Sequence, residues 1–155
     1  KSPITGIAFT KNEAKITLVG VKDKPGVAAS IFKPLADNQI NVDMVVQTSS
    51  ADGGQTDITF TIIKDDVKNC IKILKENKKI SYKKIIYDDK VSKVSVVGAG
   101  MIATPGVTYR MFQALAKKKI NIMVISTSEI KISVLINQKN IKKAIRVLHK
   151  EFDLD

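Results

Sequence analysis

The segment Asp23-Lys24-Pro25-Gly26-Val27 places a carboxylate directly before the predicted start of a helix. The first turn of a helix carries unpaired backbone N–H groups and a partial positive charge, which suit a carboxylate ligand. Gly26 has no side chain to prevent close approach, and the Asp23 carboxylate can accept hydrogen bonds from an ammonium group. One loop therefore carries complements to both charged ends of an amino-acid zwitterion. A purely structural role is the alternative, in which Asp23 caps the helix and Gly26 makes a turn.

The same Pro-Gly-Val pattern recurs 80 residues later, in Ala103-Thr104-Pro105-Gly106-Val107. The match continues at constant spacing through Phe32 and Phe112, Leu35 and Leu115, Ala36 and Ala116, and the triplets Ile40-Asn41-Val42 and Ile120-Asn121-Ile122. A period of this length predicts two small domains in tandem rather than a solenoid. The two loops differ in charge, because Ala103 stands where the first loop has Asp23.

The spacing of apolar residues predicts a strand-helix-strand-strand-helix-strand order for each repeat. In the first repeat we expect strands over 14–21, 42–48, 56–63 and 80–87, a helix over 25–39, and a second helix that begins after Asp65-Asp66. In the second repeat we expect strands over 91–97, 121–127 and 130–136 and helices over 105–119 and 141–152, with no closing strand.

A strand-like segment at 4–10 precedes the first repeat, and we expect it to supply the strand that the second repeat lacks. The sequence thus predicts an α+β fold of two ferredoxin-like βαββαβ units, 13–90 and 91–155 with 1–12, the first inserted into the second. Each unit would be an antiparallel sheet with both helices on one face. Six apolar strand residues exceed what one helical layer covers, which favours packing between units or between chains, and we expect a dimer: Ile7, Phe9, Val94, Val96, Ile132 and Val134.

Composition disfavours several classes of function. The formal net charge is +11, but lysine dominates and only Arg110 and Arg146 offer the guanidinium groups that nucleic-acid sites favour. No aromatic residue lies within a basic run to stack on bases, so we expect solvated lysines, no nucleic-acid partner and no membrane partner. With no run of about 18 apolar residues and no signal peptide, we expect a soluble, cytoplasmic protein. Cys70, the single cysteine, lies on an apolar helical stripe and predicts a core residue.

Catalytic patterns are present but incomplete. Gly98-Ala99-Gly100-Met101-Ile102-Ala103 fits a dinucleotide-binding loop, yet no acidic residue ends the next strand. His149 is the only histidine and has neither a nucleophile nor a metal cluster beside it in sequence. Ser126-Thr127-Ser128 has no base nearby and is typical of a strand end and turn. We therefore expect no catalytic residues, no cofactor and no metal.

Three strings in order resemble a known family: Ile40-Asn41-Val42-Asp43-Met44-Val45-Val46-Gln47, Thr56-Asp57-Ile58-Thr59-Phe60-Thr61, and 126–136. With the repeated Pro-Gly helix starts, they resemble the tandem ACT domains that form the C-terminal regulatory half, or the free β subunit, of aspartate kinase. The resemblance covers nearly the whole chain. In that family the first unit is also inserted into the second.

The resemblance implies an effector site for threonine, with lysine as a second candidate. It assigns Asp23, Gly26, Val27, Ala28 and Gln47 from one chain, and Thr108, Asn121 and Ile122 from the second unit of a partner chain. A related second pocket would use Asn41, Val42, Gly106 and Ser128, with Thr127 in the position of Gln47.

The implied function is feedback inhibition of aspartate phosphorylation, the first step of lysine, threonine and methionine synthesis. The implied partners are a second copy of the chain and a kinase catalytic half or α subunit. A stand-alone amino-acid sensor or interaction module without a kinase is the alternative.

Overall fold

A computed structural model describes residues 4–49, 53–99 and 105–154. Short 3₁₀ turns, Lys64–Asp66 and Gln138–Asn140, lead into the second and fourth helices. The prediction of an α+β fold with two ferredoxin-like repeats is confirmed. The elements are β1 Ile4–Lys22, α1 Val27–Asp37, β2 Val45–Ser49, β3 Gln55–Ile63, α2 Val67–Glu76, β4 Lys84–Gly98, α3 Val107–Lys117, β5 Val124–Thr127, β6 Lys131–Asn137 and α4 Ile141–Glu151.

The chain divides into two compact units. The first unit is Asn12–Asp89, and the second unit combines the part of β1 up to Lys11 with the chain from Lys90 onward. The strands follow the order β2-β3-β1-β4 in the first unit and β1-β4-β6-β5 in the second. β3 pairs antiparallel with β1 and β2, and β6 pairs antiparallel with β4 and β5.

Two pairs of predicted strands are in fact single strands. The expected strands 4–10 and 14–21 are one element, β1, and residues 84–87 and 91–97 both lie in β4. Neither Lys11-Asn12-Glu13 nor Asp88-Asp89-Lys90 contains a glycine or proline, so nothing local interrupts the extended backbone. Each long strand therefore contributes residues to both units.

The core of the first unit lies between its sheet and its two helices. α1 buries Val27, Ile31 and Leu35, and α2 buries Cys70 and Leu74. These residues form one cluster with inward-facing strand residues such as Phe60, whose ring meets Phe32 edge to face at 5.2 Å. Burial, with a smaller contribution from the Asp66 carboxylate, raises the pKa of the Cys70 thiol to about 12. Cys70 is thus a core residue, as predicted.

The second unit corrects the premise of the predicted dimer. Val94 pairs with Val134 and Val96 with Ile132, and all four are buried in the cluster beneath α3 and α4. Ile7 also packs against that cluster. Among the six residues taken as surplus apolar surface, only Phe9 is largely exposed, at 48%. One helical layer therefore covers this face, and these residues do not support the predicted dimer.

Pro34 lies inside α1 and changes how the two helices of the first unit are joined. Proline has no backbone N–H, so the carbonyl of Ser30 loses its usual partner four residues later. The Asn77 side chain, just after α2, donates a hydrogen bond to that carbonyl at 2.9 Å. Its own oxygen accepts from the Lys79 N–H at 2.9 Å. A side chain from the end of α2 thus replaces the missing bond in α1.

This replacement predicts a coupled pair of substitutions. Asn77→Ala should lower the free energy of unfolding by about 1–2 kcal/mol, because the Ser30 carbonyl loses its donor. In a Pro34→Ala background the same substitution should cost about 1 kcal/mol less, since the introduced alanine supplies the backbone N–H that proline lacks. Urea unfolding of the four variants, followed by circular dichroism, measures the coupling. Equal costs in both backgrounds would contradict the proposed compensation.

Candidate functional site

Both predicted Pro-Gly helix starts have the same backbone geometry. Gly26 precedes α1 with φ 87° and Gly106 precedes α3 with φ 91°, a left-handed conformation that favours glycine. Apart from the adjoining residues and the helix's own backbone, a Cβ placed at either glycine would meet no heavy atom within 4 Å among the described residues. The backbone angle rather than packing therefore requires glycine, and the space beside each helix start is open to a ligand.

The first turn of α1 has free hydrogen-bond donors. The Val27 N–H donates to the Lys24 carbonyl at 3.2 Å, and the Ser30 N–H donates to the Gly26 carbonyl at 3.0 Å. Between them, the N–H groups of Ala28 and Ala29 have no acceptor among the described residues. These two donors and the helix dipole favour the binding of a carboxylate at this position.

Asp23 is held by its backbone while its side chain is available. Its N–H donates to the Gly54 carbonyl at 3.0 Å, which fixes the residue against the β2–β3 turn. The carboxylate is exposed and has no hydrogen-bond or ion-pair partner in the described part of the chain. The N-cap of α1 is Gly26, with no side-chain cap bond. The Asp23 side chain therefore does not cap α1.

The other predicted residues of the first unit differ in exposure. Val27 is 7% exposed and belongs to the core, so only its backbone can face a ligand. Ala28 is exposed in the first turn of α1. Gln47 is exposed on β2, paired opposite Ile58 of β3.

The predicted residues of the second unit lie at opposite ends of α3. Thr108 is exposed in the first turn, whereas Asn121 and Ile122 follow the helix, about 14 Å away along its axis. Asn121 is exposed and Ile122 is half-buried. Within one unit these residues therefore form two separate places, one at each end of the helix.

Two of the predicted second-pocket residues line a cavity. Asn41 and Val42 border a volume of about 380 Å³ at the C-terminal end of α1, together with Phe32 and Val45. Ser128 has a local role, because its hydroxyl accepts from the Lys131 N–H at 3.2 Å in the β5–β6 turn. Ala103, the residue that distinguishes the second loop, lies outside the described residues.

Sequence reasoning missed the larger cavity. It measures about 680 Å³ and lies between α1 and α2 of the first unit, with Ala29 of the first turn of α1 in its lining. Its charged lining is Lys33, Asp37, Lys72, Glu76, Lys78 and Lys79. The signal that could have indicated it is the small residue Ser30 where the repeat has Arg110.

The patterns weighed for catalysis add no site within the described residues. Gly98 is buried at the end of β4 and Ala99 follows it, while Gly100-Met101-Ile102-Ala103 lies outside the described part. The described residues hold no group of three or more histidine, cysteine, aspartate or glutamate side chains that could bind a metal. No helix among the described residues is long and apolar enough to cross a membrane.

Comparison with known proteins first defines the class. A family model described as ACT domain matches residues 16–77 and 94–152, one match in each unit. Aspartokinases from Corynebacterium glutamicum and Helicobacter pylori are each 49% identical to the chain over 97% and 98% of its length. The chain spans only 36% and 37% of these two curated relatives.

Solved structures narrow the class further. A crystal structure of aspartokinase alpha and beta subunits includes a chain 49% identical, with a TM-score of 0.87, covering 97% of this chain and 99% of that one. The ligand-free regulatory subunit of aspartate kinase from Thermus thermophilus is 36% identical, with a TM-score of 0.89 and the same coverage. This chain belongs to the tandem ACT regulatory part of the aspartate kinase family. The family prediction is confirmed.

The free Asp23 carboxylate predicts a difference between two aspartates of the first unit. Asp23→Ala should change the free energy of unfolding by less than about 0.5 kcal/mol, since no interaction is lost. Asp57→Ala is the matched control, because the Asp57 carboxylate accepts from the Gly20 N–H at 2.9 Å. Asp57→Ala should cost about 1–2 kcal/mol. Urea unfolding compares them, and a loss at Asp23 as large as at Asp57 would restore a structural role for Asp23.

Proposed function

We propose that this chain binds end-product amino acids, threonine foremost and lysine as a second candidate, and thereby inhibits an aspartate kinase catalytic half or α subunit in the cytoplasm. Such a regulatory chain would couple the supply of aspartyl phosphate to the level of the end products. The observation that carries the proposal is the Asp23 loop. It combines a positioned, uncompensated carboxylate with free N–H donors at the start of α1.

The loop fits the charges of an amino acid. The ligand carboxylate would accept from the N–H groups of Ala28 and Ala29, where the helix dipole also favours a negative charge. The ligand ammonium would donate to Asp23, a charge-assisted bond. Gln47 on β2 would supply an amide for the side-chain hydroxyl of threonine. Ligands without both charges would leave one of these groups unpaired.

Residues of a second copy would complete the site. α1 and α3 are equivalent helices of 11 residues each. If α1 of one chain lies antiparallel beside α3 of its partner, the loop before α1 meets the segment after α3, which holds Asn121 and Ile122. The same arrangement places Thr108 beside Asn41 and Val42. We therefore assign Asn121 and Ile122 to the threonine site and Thr108 to the second pocket.

Inhibition would follow from linkage. A ligand held between two chains binds the assembled dimer and not the separate chains, so it increases the population of that assembly. A catalytic half attached to the dimer is inhibited if the liganded assembly favours its inactive arrangement. Threonine binding without any effect on a co-expressed kinase half would instead favour a stand-alone sensor.

Calorimetric titration of threonine tests the site. Asp23→Asn should weaken binding roughly 30- to 1000-fold, because the ligand ammonium would lack its charged partner in a partly desolvated site. Asp65→Asn, the same change at an exposed position before α2, is the matched control and should leave the affinity within about twofold. Unchanged affinity in Asp23→Asn would place the effector elsewhere.

Mixing two deficient variants tests whether the site is shared between chains. Asp23→Asn and Asn121→Ala should each bind threonine poorly alone. In a mixed dimer, one of the two sites combines the intact Asp23 of one chain with the intact Asn121 of the other. Random re-association should therefore restore about a quarter of the high-affinity sites.

Sedimentation equilibrium of the same samples provides the control for assembly. Threonine should tighten the wild-type dimer, as linkage requires, and should have little effect on either variant alone. A mixture that forms dimers but recovers no binding would show that each site is contained in one chain.

A further inference from the structure

The two repeats join their helices in different ways at equivalent positions. In the second unit, the Arg110 guanidinium on α3 donates from Nε to the Glu151 carboxylate at 2.9 Å and from Nη2 to the Glu151 carbonyl at 2.6 Å. The same guanidinium lies over the Phe152 ring, 4.8 Å from its centre. A long side chain thus bridges α3 and α4.

The first unit has small or flexible residues at these positions. Ser30 stands where the repeat has Arg110, and the buried pairs Cys70 with Ala144 and Leu74 with Leu148 align α2 with α4. This alignment places Asn77 opposite Glu151 and Lys78 opposite Phe152. The bridge is reduced to one hydrogen bond, from Asn77 to the Ser30 carbonyl. The cavity of about 680 Å³ lies where the second unit has its arginine bridge.

The charges around this cavity do not balance. Lys33 is paired with Asp37 at 3.0 Å, so those two charges compensate one another. The ammonium groups of Lys72, Lys78 and Lys79 have no partner among the described residues, and Glu76 is the remaining acid in the lining. The lining therefore carries an excess of two positive charges, while Ala29, Pro34 and Ile73 supply an apolar surface. Its volume is within the range of small-molecule sites.

We propose that the cavity between α1 and α2 of the first unit is a binding site for a small organic dianion, a phosphate ester or a dicarboxylate. Two negative charges would neutralise the excess from the three lysines, and the Asn69 amide adds a further polar group. The apolar lining favours a ligand with a carbon skeleton over an inorganic ion. Ala29 borders both this cavity and the proposed carboxylate site at the start of α1, but the lysines that supply the charge of the cavity lie outside the Asp23 loop.

Calorimetric titration with three probes tests the chemistry at low ionic strength. AMP represents a phosphate monoester, glutarate a dicarboxylate, and inorganic phosphate an ion with no apolar body. We expect AMP or glutarate to bind at least about fivefold more tightly than inorganic phosphate, and the better of the two identifies the source of the charge. Binding should weaken as salt is raised, because the lysines are exposed. Failure of both organic probes to bind below about 5 mM would overturn the proposal.

A variant that restores the bridge of the second unit tests the location. Ser30→Arg combined with Asn77→Glu leaves the net charge unchanged and introduces the Arg110–Glu151 pair into the first unit. Binding of the better probe should fall at least about tenfold, because the arginine would occupy the cavity. Undiminished binding in a variant with the wild-type circular dichroism spectrum would overturn the proposal.

Substitutions of the cavity lysines test the location of the site independently of the Ser30→Arg and Asn77→Glu variant. Lys78→Gln with Lys79→Gln should weaken binding about 5- to 20-fold through the loss of two charges. Lys142→Gln with Lys143→Gln, on α4, makes the same change in net charge at lysines that do not line the cavity and should alter binding less than about twofold. Equal losses in both pairs would show non-specific attraction to a basic protein and overturn the proposal.

Discussion

In each repeat, the start of the first helix depends on a residue with a positive φ angle immediately before it. Gly26 and Gly106 turn the backbone through the left-handed region, so that the next residue, Val27 or Val107, begins the helix with its side chain in the core. Neither helix has a side-chain cap, and in α1 the N–H groups of Ala28 and Ala29 have no acceptor among the described residues. The conformation that lets the valine pack thus also leaves donors for a ligand. Packing and binding capacity come from one backbone feature.

The two repeats keep this constraint and differ in the residues around it. The first loop has an aspartate whose carboxylate is free, and the second has Ala103 at the equivalent place in the sequence. Between its two helices, the first unit has the hydrogen bond from the Asn77 side chain to the Ser30 carbonyl, and the second unit has the Arg110–Glu151 bridge. Duplicated cores with diverged surfaces are a way to give two similar units different ligands.

Hydrophobic periodicity was sufficient to predict the helices, because each buries a regular stripe such as Val27, Ile31 and Leu35. It failed where the chain passes from one unit to the other, because the predicted strands left residues 11–13 and 88–90 unassigned. Extended backbone there depends on pairing with neighbouring strands, which local sequence does not encode. The segment 42–44 was also predicted as strand, although β2 begins at Val45. There, isolated bonds such as that from the Asp43 N–H to the Thr61 carbonyl hold a chain that is not yet a regular strand.

Only those features of the candidate site that are local in sequence could be predicted. Asp23, Gly26 and Ala28 are local in sequence, and a helix start fixes their relation. That the Asp23 carboxylate is free could not be predicted, because its freedom depends on what every other group nearby is bonded to. The Asn77 bond to Ser30 could not be predicted either, since it joins α1 to the end of α2 and uses the carbonyl that Pro34 leaves without a backbone donor.

The continuity of β1 and β4 determines how the two units are connected along the chain. The Ser92 hydroxyl donates to the Lys11 carbonyl at 3.0 Å, so the two strands run side by side where the first unit departs from the second. A whole domain thus occupies the place that a two-residue hairpin turn would fill. Closing Lys11 directly onto Lys90 would leave a second unit with all of its strands, whereas cutting the gene once anywhere between the repeats would leave that unit short of one. The first unit is thus inserted at a hairpin position of the second unit rather than joined to its end.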